Sequence, residues 1–249
     1  MSGLGRDAES RLSLSVDSLS RSFGRITALD DISFDFKGSK IVGVAGPSGC
    51  GKTTLIRCLL GLLEPSEGSV SINGMSPNDI RRAGTTKVGY MPQHDGLYPD
   101  LTLRQNVSFF AKINRVPRRE RSERVQDVIE FIELSSRADD KITDLSGGMK
   151  RRTSLASAIV HNPDLVFLDE PTVGLDPALR AQMWEGFKEL RKEGSLILLS
   201  THYLAEAARC DSVLFLRDGR VLANDTPKAI LDRTGTGDME DAFLELLEA

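Results

Sequence analysis

Residues 46–53 read Gly46-Pro47-Ser48-Gly49-Cys50-Gly51-Lys52-Thr53, a match to GxxxxGK(S/T), the pattern of a phosphate-binding loop. The flanks matter as much as the match. Lys40-Ile41-Val42-Gly43-Val44-Ala45 precedes it, with the length and β-branched content of a buried parallel strand. Thr54-Leu55-Ile56-Arg57-Cys58-Leu59-Leu60 follows without a breaker before Gly61 and reads as a helix. Strand, glycine-rich loop and helix is the context in which the pattern carries meaning. Glycines at 46, 49 and 51 permit turns closed to residues with side chains and let the backbone approach a ligand. Successive N–H groups then form an anion nest at the positive end of the following helix. Lys52 is expected to reach terminal phosphates and the Thr53 hydroxyl to bind Mg²⁺; Pro47, Ser48, Cys50 and Thr54 complete the candidate nucleotide contacts. A plain glycine-rich turn with a solvated lysine is the alternative, and the strand–loop–helix setting argues against it. The expected ligand is a nucleoside triphosphate.

Composition bounds the rest. A chain of 249 residues can bury a large core as one elaborated domain or two small ones. Mean hydropathy is −0.20 and no apolar run approaches the ~20 residues that span a bilayer, so a soluble chain is expected. The opening MSGLGRDAES lacks the apolar centre of a secretory signal and reads as a short loose tail. A net charge of −4 argues against a general nucleic-acid binder, because phosphate backbones demand basic surface. Cys50, Cys58 and Cys210 are odd in number and at no metal-ligand spacing, which fits a reducing cytosol without disulfides.

In chain order, Leu12–Val16 and Ile32–Phe36 alternate as strands with one apolar face each. Between them Phe23 reads as core more readily than as a ligand-stacking ring. Gly68–Ile72 is a short strand closed by an Asn73-Gly74 turn, and Lys87–Met91 another, stopped by Pro92. Gln93 follows, and its spacing alone does not distinguish a site residue from a surface one. From Leu97 to about Asn162 the pattern is helical. Thr102 and Gln105 form a capping box, with Leu103, Val107, Phe110 and Ala111 on one apolar face. Pro117 opens a second helix, whose buried stripe is Val125, Val128, Ile129 and Ile132. Its charges are mixed in sign, as on a solvated face. The block reads as an insertion between two halves of an α/β sheet.

Leu165-Val166-Phe167-Leu168 then delivers Asp169-Glu170 at a strand's C-terminal end, where ligands of open α/β sheets bind. In a phosphate-loop protein the first acid is the expected Mg²⁺ partner, and the second is placed to orient a water. A simple strand-ending turn is the competing reading. Leu196–Thr201 similarly delivers His202, although a histidine at a strand edge is more often structural. Asp218-Gly219 makes a type I′-compatible hairpin, and Met239–Leu247 a short amphipathic closing helix.

One further segment decides between families. Leu145-Ser146-Gly147-Gly148-Met149-Lys150-Arg151-Arg152 opens a helix with a hydroxyl and exposed N–H groups, a second anion-binding geometry. Placed between the two strand-end motifs, it strongly resembles the signature of ATP-binding cassette (ABC) ATPases, and the resemblance runs from Leu12 to Leu247. It implies a single α/β domain over 12–247, with a P-loop NTPase (RecA-like) core, an antiparallel β subdomain and an inserted α-helical subdomain. Core and β subdomain would occupy 12–94 and 162–233, the helical subdomain 97–161 and a closing helix 234–247.

By the same resemblance, Phe23 is similar to the aromatic that stacks on adenine. Gln93 resembles the glutamine that binds Mg²⁺ and the attacking water, and Asp169 the acid that holds Mg²⁺ through water. Glu170 resembles the general base and His202 the residue that senses the γ-phosphate, with Lys52 on the phosphates. Asp176, in Val173-Gly174-Leu175-Asp176, matches the loop that joins two nucleotide sites; Val173 departs from the serine or alanine common there. Two cassettes, here expected to be two copies, would sandwich two ATP molecules head to tail. Ser146, Gly147 and Gly148 of one chain would then meet the γ-phosphate held by Lys52 of the other. The helical block resembles the surface presented to separate transmembrane permease subunits, which implies a cytoplasmic ATPase held at the inner face of the membrane. Gly89–Gln93, Asp95–Thr102 and Ser200–Ala207 look most like the branch serving drug, lipid or polysaccharide exporters. The alternative is a soluble ABC ATPase acting on nucleic acid or ribosomes; such chains usually carry a coiled-coil insertion or two cassettes, and neither is in this sequence.

Overall fold

The structure is a computed structural model and describes residues 12–94 and 96–248; the opening stretch read as a loose tail, and Asp95, lie outside the described residues. The chain divides into two compact units, one of residues up to Thr86 with Leu190 onward, the other Lys87–Glu189.

In the first unit, β1 (Ser13–Phe23) and β2 (Ile26–Lys37) form a long antiparallel hairpin. Leu14, Val16, Leu19, Leu29, Ile32, Phe34 and Phe36 are all buried on it, the alternation expected of a half-buried sheet. The strands are longer than the alternation alone marks, and Phe23 ends β1 rather than lying between strands. Far from being core, it is 47% exposed. The five residues of β3 (Ile41–Ala45) are all buried, and the phosphate-binding pattern carries the chain from it into α1 (Lys52–Leu59). Next, β4 (Glu67–Ile72) completes the antiparallel sheet in the order β2-β1-β4. It closes in the expected Asn-Gly turn, Asn73 and Gly74 both having positive φ. A helix that periodicity did not mark, α2 (Pro77–Ala83), is started by the Ser76 side chain accepting from Asp79 N–H and stopped at left-handed Gly84.

The second unit opens with β5 (Val88–Met91). Its first helix, α3 (Leu103–Ile113), carries the reciprocal capping box of Thr102 and Gln105. The next, α4 (Arg118–Phe131), follows Pro117, which stands one residue outside the helix. Val125, Val128, Ile129 and Ile132 are buried as expected. Two short 3₁₀ turns lead to α5 (Gly147–Ile159) and then β6 (Leu165–Asp169), buried at every position. Burying each of its large apolar side chains stabilises by about 1.5–3 kcal/mol. β5 and β6 pair in parallel, Met91 opposite Leu168.

After α6 (Pro177–Lys192) the chain returns to the first unit with β7 (Leu196–Thr201), α7 (Leu204–Ala207), β8 (Ser212–Arg217) and β9 (Arg220–Asp225). β3 lies between β7 and β8, parallel to both, and β9 runs antiparallel to β8. The β8–β9 turn is type I′ in character, with positive φ at Asp218 and Gly219. α8 (Pro227–Thr234) and α9 (Met239–Glu248) close the chain. Among the described residues no helix is long and apolar enough to cross a membrane.

Candidate nucleotide site

In the first unit, the register of β3 against β7 sets the phosphate loop. Ala45 pairs with Thr201, so Gly46 and His202 leave adjacent strand ends side by side, and Gly46 N–H donates to Thr201 O at 3.3 Å. A Cβ on Gly46 would stand 2.1 Å from Leu216 O, so the loop follows its path only without a side chain there. Gly51 caps α1 with φ 111°. No side chain caps that helix, which leaves its first N–H groups to an anion.

Lys52 is 5% exposed, and its ammonium donates to the carbonyls of Gly46 at 2.8 Å and Pro47 at 2.9 Å. The cation is thereby held inside the loop it is expected to share with phosphates. Cys50 is buried in the same loop, and burial raises its thiol pKa although Lys52 opposes the shift. Thr53 and Thr54 are half-buried on the first turn of α1.

Beyond β7, Thr201 Oγ1 donates to the buried Glu206 carboxylate at 3.0 Å and accepts from Tyr203 N–H at 3.0 Å. Those two bonds fold the chain tightly around His202, whose ring lies 4.2 Å from that of Tyr203. Phe23 sits at the tip of the β1–β2 hairpin with the Arg21 guanidinium 4.7 Å from its ring centre.

In the second unit, Gln93 and Glu170 each stand two residues past the paired Met91 and Leu168. The parallel register therefore brings them together, and Gln93 Nε2 donates to Glu170 Oε2 at 3.2 Å. Asp169 is fully buried at the end of β6. Glu170 adopts φ 51°, a left-handed backbone that costs a residue with a Cβ about 1–3 kcal/mol.

Ser146 is the N-cap of α5, its Oγ accepting from Met149 N–H at 3.3 Å. That bond uses an oxygen lone pair and leaves the hydroxyl proton to donate. A Cβ on Gly147 would meet nothing within 4 Å, so packing within this chain does not require a glycine there. Asp176 is an exposed N-cap for α6, Oδ1 accepting from Ala178 and Leu179 N–H at 3.0 Å each.

The structure thus gathers the phosphate loop, Phe23 and His202 in one unit, and Gln93, Asp169, Glu170, Ser146, Gly147, Gly148 and Asp176 in the other. Arg151 has no role in the sequence reading, yet it is 7% exposed and donates to main-chain carbonyls beside both Gln93 and Glu170. A signal was present. Lys150, Arg151 and Arg152 are consecutive on a helix, about 100° apart, so a helix with a broad buried face must turn at least one of them inward.

Among the described residues no three His, Cys, Asp or Glu side chains cluster as metal ligands. Taken unit by unit, the Thr53 hydroxyl in the first, and the Gln93 amide oxygen and Asp169 carboxylate in the second, are each oxygen donors of the hard kind that Mg²⁺ takes.

Comparison with known proteins gives these features a family. The family model described as "ABC transporter" matches residues 29–173. The Nod factor export ATP-binding protein I of Burkholderia thailandensis is 41% identical over 205 residues, covering 82% of this chain and 67% of that protein. ABC transporter G family member 20 of Dictyostelium discoideum is 35% identical over 236 residues, 95% of this chain; the chain spans only 32% of that longer relative. Among solved structures, one described as the ATP-binding subunit of an ABC transporter aligns with TM-score 0.86 and 32% identity, covering 94% of this chain and 99% of that one. A dimeric ATP-binding cassette, captured after hydrolysis with ADP and Pi, aligns with TM-score 0.79 and 26% identity over 86% of this chain and 98% of that one.

Proposed function

Because this chain belongs to the ABC transporter family and has its ATP-binding cassette fold, we propose that it hydrolyses Mg-ATP as a head-to-tail dimer of two copies to drive export through separate transmembrane subunits. The observation that carries the proposal is the Gln93–Glu170 hydrogen bond at 3.2 Å. It holds a carboxylate beside a polar amide at the strand end that also presents Asp169.

In this reading, Lys52 and the α1 amides take the phosphates, and Phe23 takes the adenine face. Thr53, Asp169 and Gln93 are the residues that would hold Mg²⁺, and the ion would offset phosphate charge. Glu170 accepts a proton from the attacking water, Gln93 fixes the orientation of that carboxylate, and His202 meets the γ-phosphate. Ser146 donates its hydroxyl proton, with the Gly147 and Gly148 amides, to the γ-phosphate on a second copy; Asp176 lies near the contact between copies. The helical block 97–161 presents Tyr98, which is 46% exposed, to the permease.

Support for export comes from likeness to a Nod factor export ATP-binding protein, and support for dimerisation from likeness to a cassette solved as a dimer. The test is to purify the full chain from membranes with an affinity tag and assay ATPase activity with and without Mg²⁺. Co-purification of a multi-span membrane protein and Mg²⁺-dependent turnover lost in Glu170→Gln are expected. A preparation that carries no membrane protein, or that hydrolyses ATP equally well without Glu170, contradicts the assignment.

A further inference from the structure

We propose that Arg151 is a positioning residue, a strut by which the helix bearing Ser146 sets the place of Gln93 and Glu170. Its guanidinium donates through Nη1 to Pro92 O at 3.2 Å and Gln93 O at 2.5 Å. Through Nη2 it donates to Asp169 O at 2.5 Å and to Glu170 O. One side chain thus holds the main chain at the C-terminal ends of β5 and β6, on both sides of the Gln93–Glu170 contact.

The geometry explains why an arginine is needed. A guanidinium is flat and rigid, with donors on two nitrogens pointing in different directions, so it can bridge two segments at once. An ammonium is a compact point donor on a flexible stem. The left-handed backbone of Glu170 is of the kind that persists only where surrounding structure over-determines it. Charge-assisted bonds to its own carbonyl and the preceding one supply that constraint. Arg151 is 7% exposed, so water competes little for the four acceptors.

Arg151 also stands five residues from Ser146, about 7.5 Å along the helix axis at 1.5 Å per residue. Ser146 caps the outer tip of α5, while Arg151 grips the two segments that carry the proposed base and its amide partner. Displacement of the tip is therefore transmitted to the carboxylate through a short, rigid element. This role rests on the assignment of Glu170 as the base.

The test is a double-mutant cycle on the full chain: parent, Arg151→Met, Glu170→Gln and the pair. Single-turnover hydrolysis of radiolabelled ATP is measured alongside affinity for a fluorescent ATP analogue and thermal melting. Arg151→Met is expected to lower the rate at least 10-fold with analogue affinity within about 2-fold of the parent. Added to Glu170→Gln it should cost no more than about 2-fold, because a residue that acts through the base has nothing left to position. The strut is overturned if Arg151→Met lowers the rate by the same factor in both backgrounds, if affinity falls in parallel, or if Arg151→Met turns over at the parental rate. Parental turnover by Glu170→Gln alone would instead overturn the base assignment and the strut with it. Should Arg151→Met fail to fold, Arg151→Lys, which keeps the charge and removes the fork, carries the same comparison.

Discussion

The side-chain amide of Gln93 donates to the carboxylate of Glu170 at 3.2 Å across a separation of 77 residues. A parallel strand pair in register makes that contact, since each residue stands two positions past Met91 or Leu168. The bond restricts the rotation of the carboxylate expected to polarise water. Gln93→Ala should lower turnover about 10- to 100-fold, the equivalent of the ~1.5–3 kcal/mol typical of a hydrogen bond to a charged group. Nucleotide affinity should stay within about 2-fold, and unchanged turnover would show that the bond plays no part.

Lys52 lies within its own loop, bonded to the carbonyls of Gly46 and Pro47. Its charge is therefore in place before a phosphate arrives. Lys52→Ala should weaken ATP binding by about 10- to 100-fold through loss of charge-assisted bonds. Thermal shift reads this directly: Mg-ATP should raise the melting temperature of the parent and leave that of the variant nearly unmoved.

What the sequence disclosed follows from which interactions are local. The Thr102–Gln105 capping box spans one turn, and the Asp218-Gly219 turn needs only positive φ at two residues; both could be read from neighbours in the chain. The continuous apolar run of β6 marked a strand buried at every position. Helix α2, only seven residues long, leaves no periodic stripe in the sequence, burying only Ile80, although its Ser76 cap is a local signal. Asn106 is a polar residue on the buried face of α3. Its amide bonds the backbone of Tyr98, Leu101 and Thr102, a loop no periodicity rule can place. Residue type alone favours the core for Phe23, whereas the tip of the β1–β2 hairpin exposes it; exposure there is set by the turn and not by the side chain. Arg151 acts on carbonyls 58 and 18 residues away, and such partners are fixed by strand register rather than by motif.

His161 carries a pH dependence unrelated to turnover. It is 6% exposed, its Nε2 bonds Val88 O at 3.1 Å, and burial with the nearby Lys87 charge lowers its pKa from 6.5 to about 4. The neutral ring is the folded form, so its contribution is complete above pH 6.5 and is lost as pH falls toward 4, where only the unfolded chain takes up the proton. The loss amounts to about 3 kcal/mol across that window. Urea unfolding at pH 7, 5.5 and 4.5 should show the parent falling more steeply than His161→Asn; parallel curves would contradict the shift.

Cys50 offers a probe of the loop itself. Burial raises its thiol pKa from 9.0, so at neutral pH it holds less thiolate than an ordinary cysteine. Alkylation followed by peptide mass spectrometry should be slow at pH 7.5, accelerate toward pH 9.5, and be suppressed by Mg-ATP. Labelling unaffected by nucleotide would place ATP away from the loop.

The proposed head-to-tail dimer requires a γ-phosphate shared between two copies of this chain, with Lys52 on one side and Ser146 on the other. Light scattering of Glu170→Gln, in which hydrolysis is slowed by about 10²–10⁴-fold, measures this most directly. With saturating Mg-ATP the variant should double in mass, and revert to a single chain with ADP or when Ser146→Arg is added. A mass of one chain at every ATP and salt concentration would contradict it.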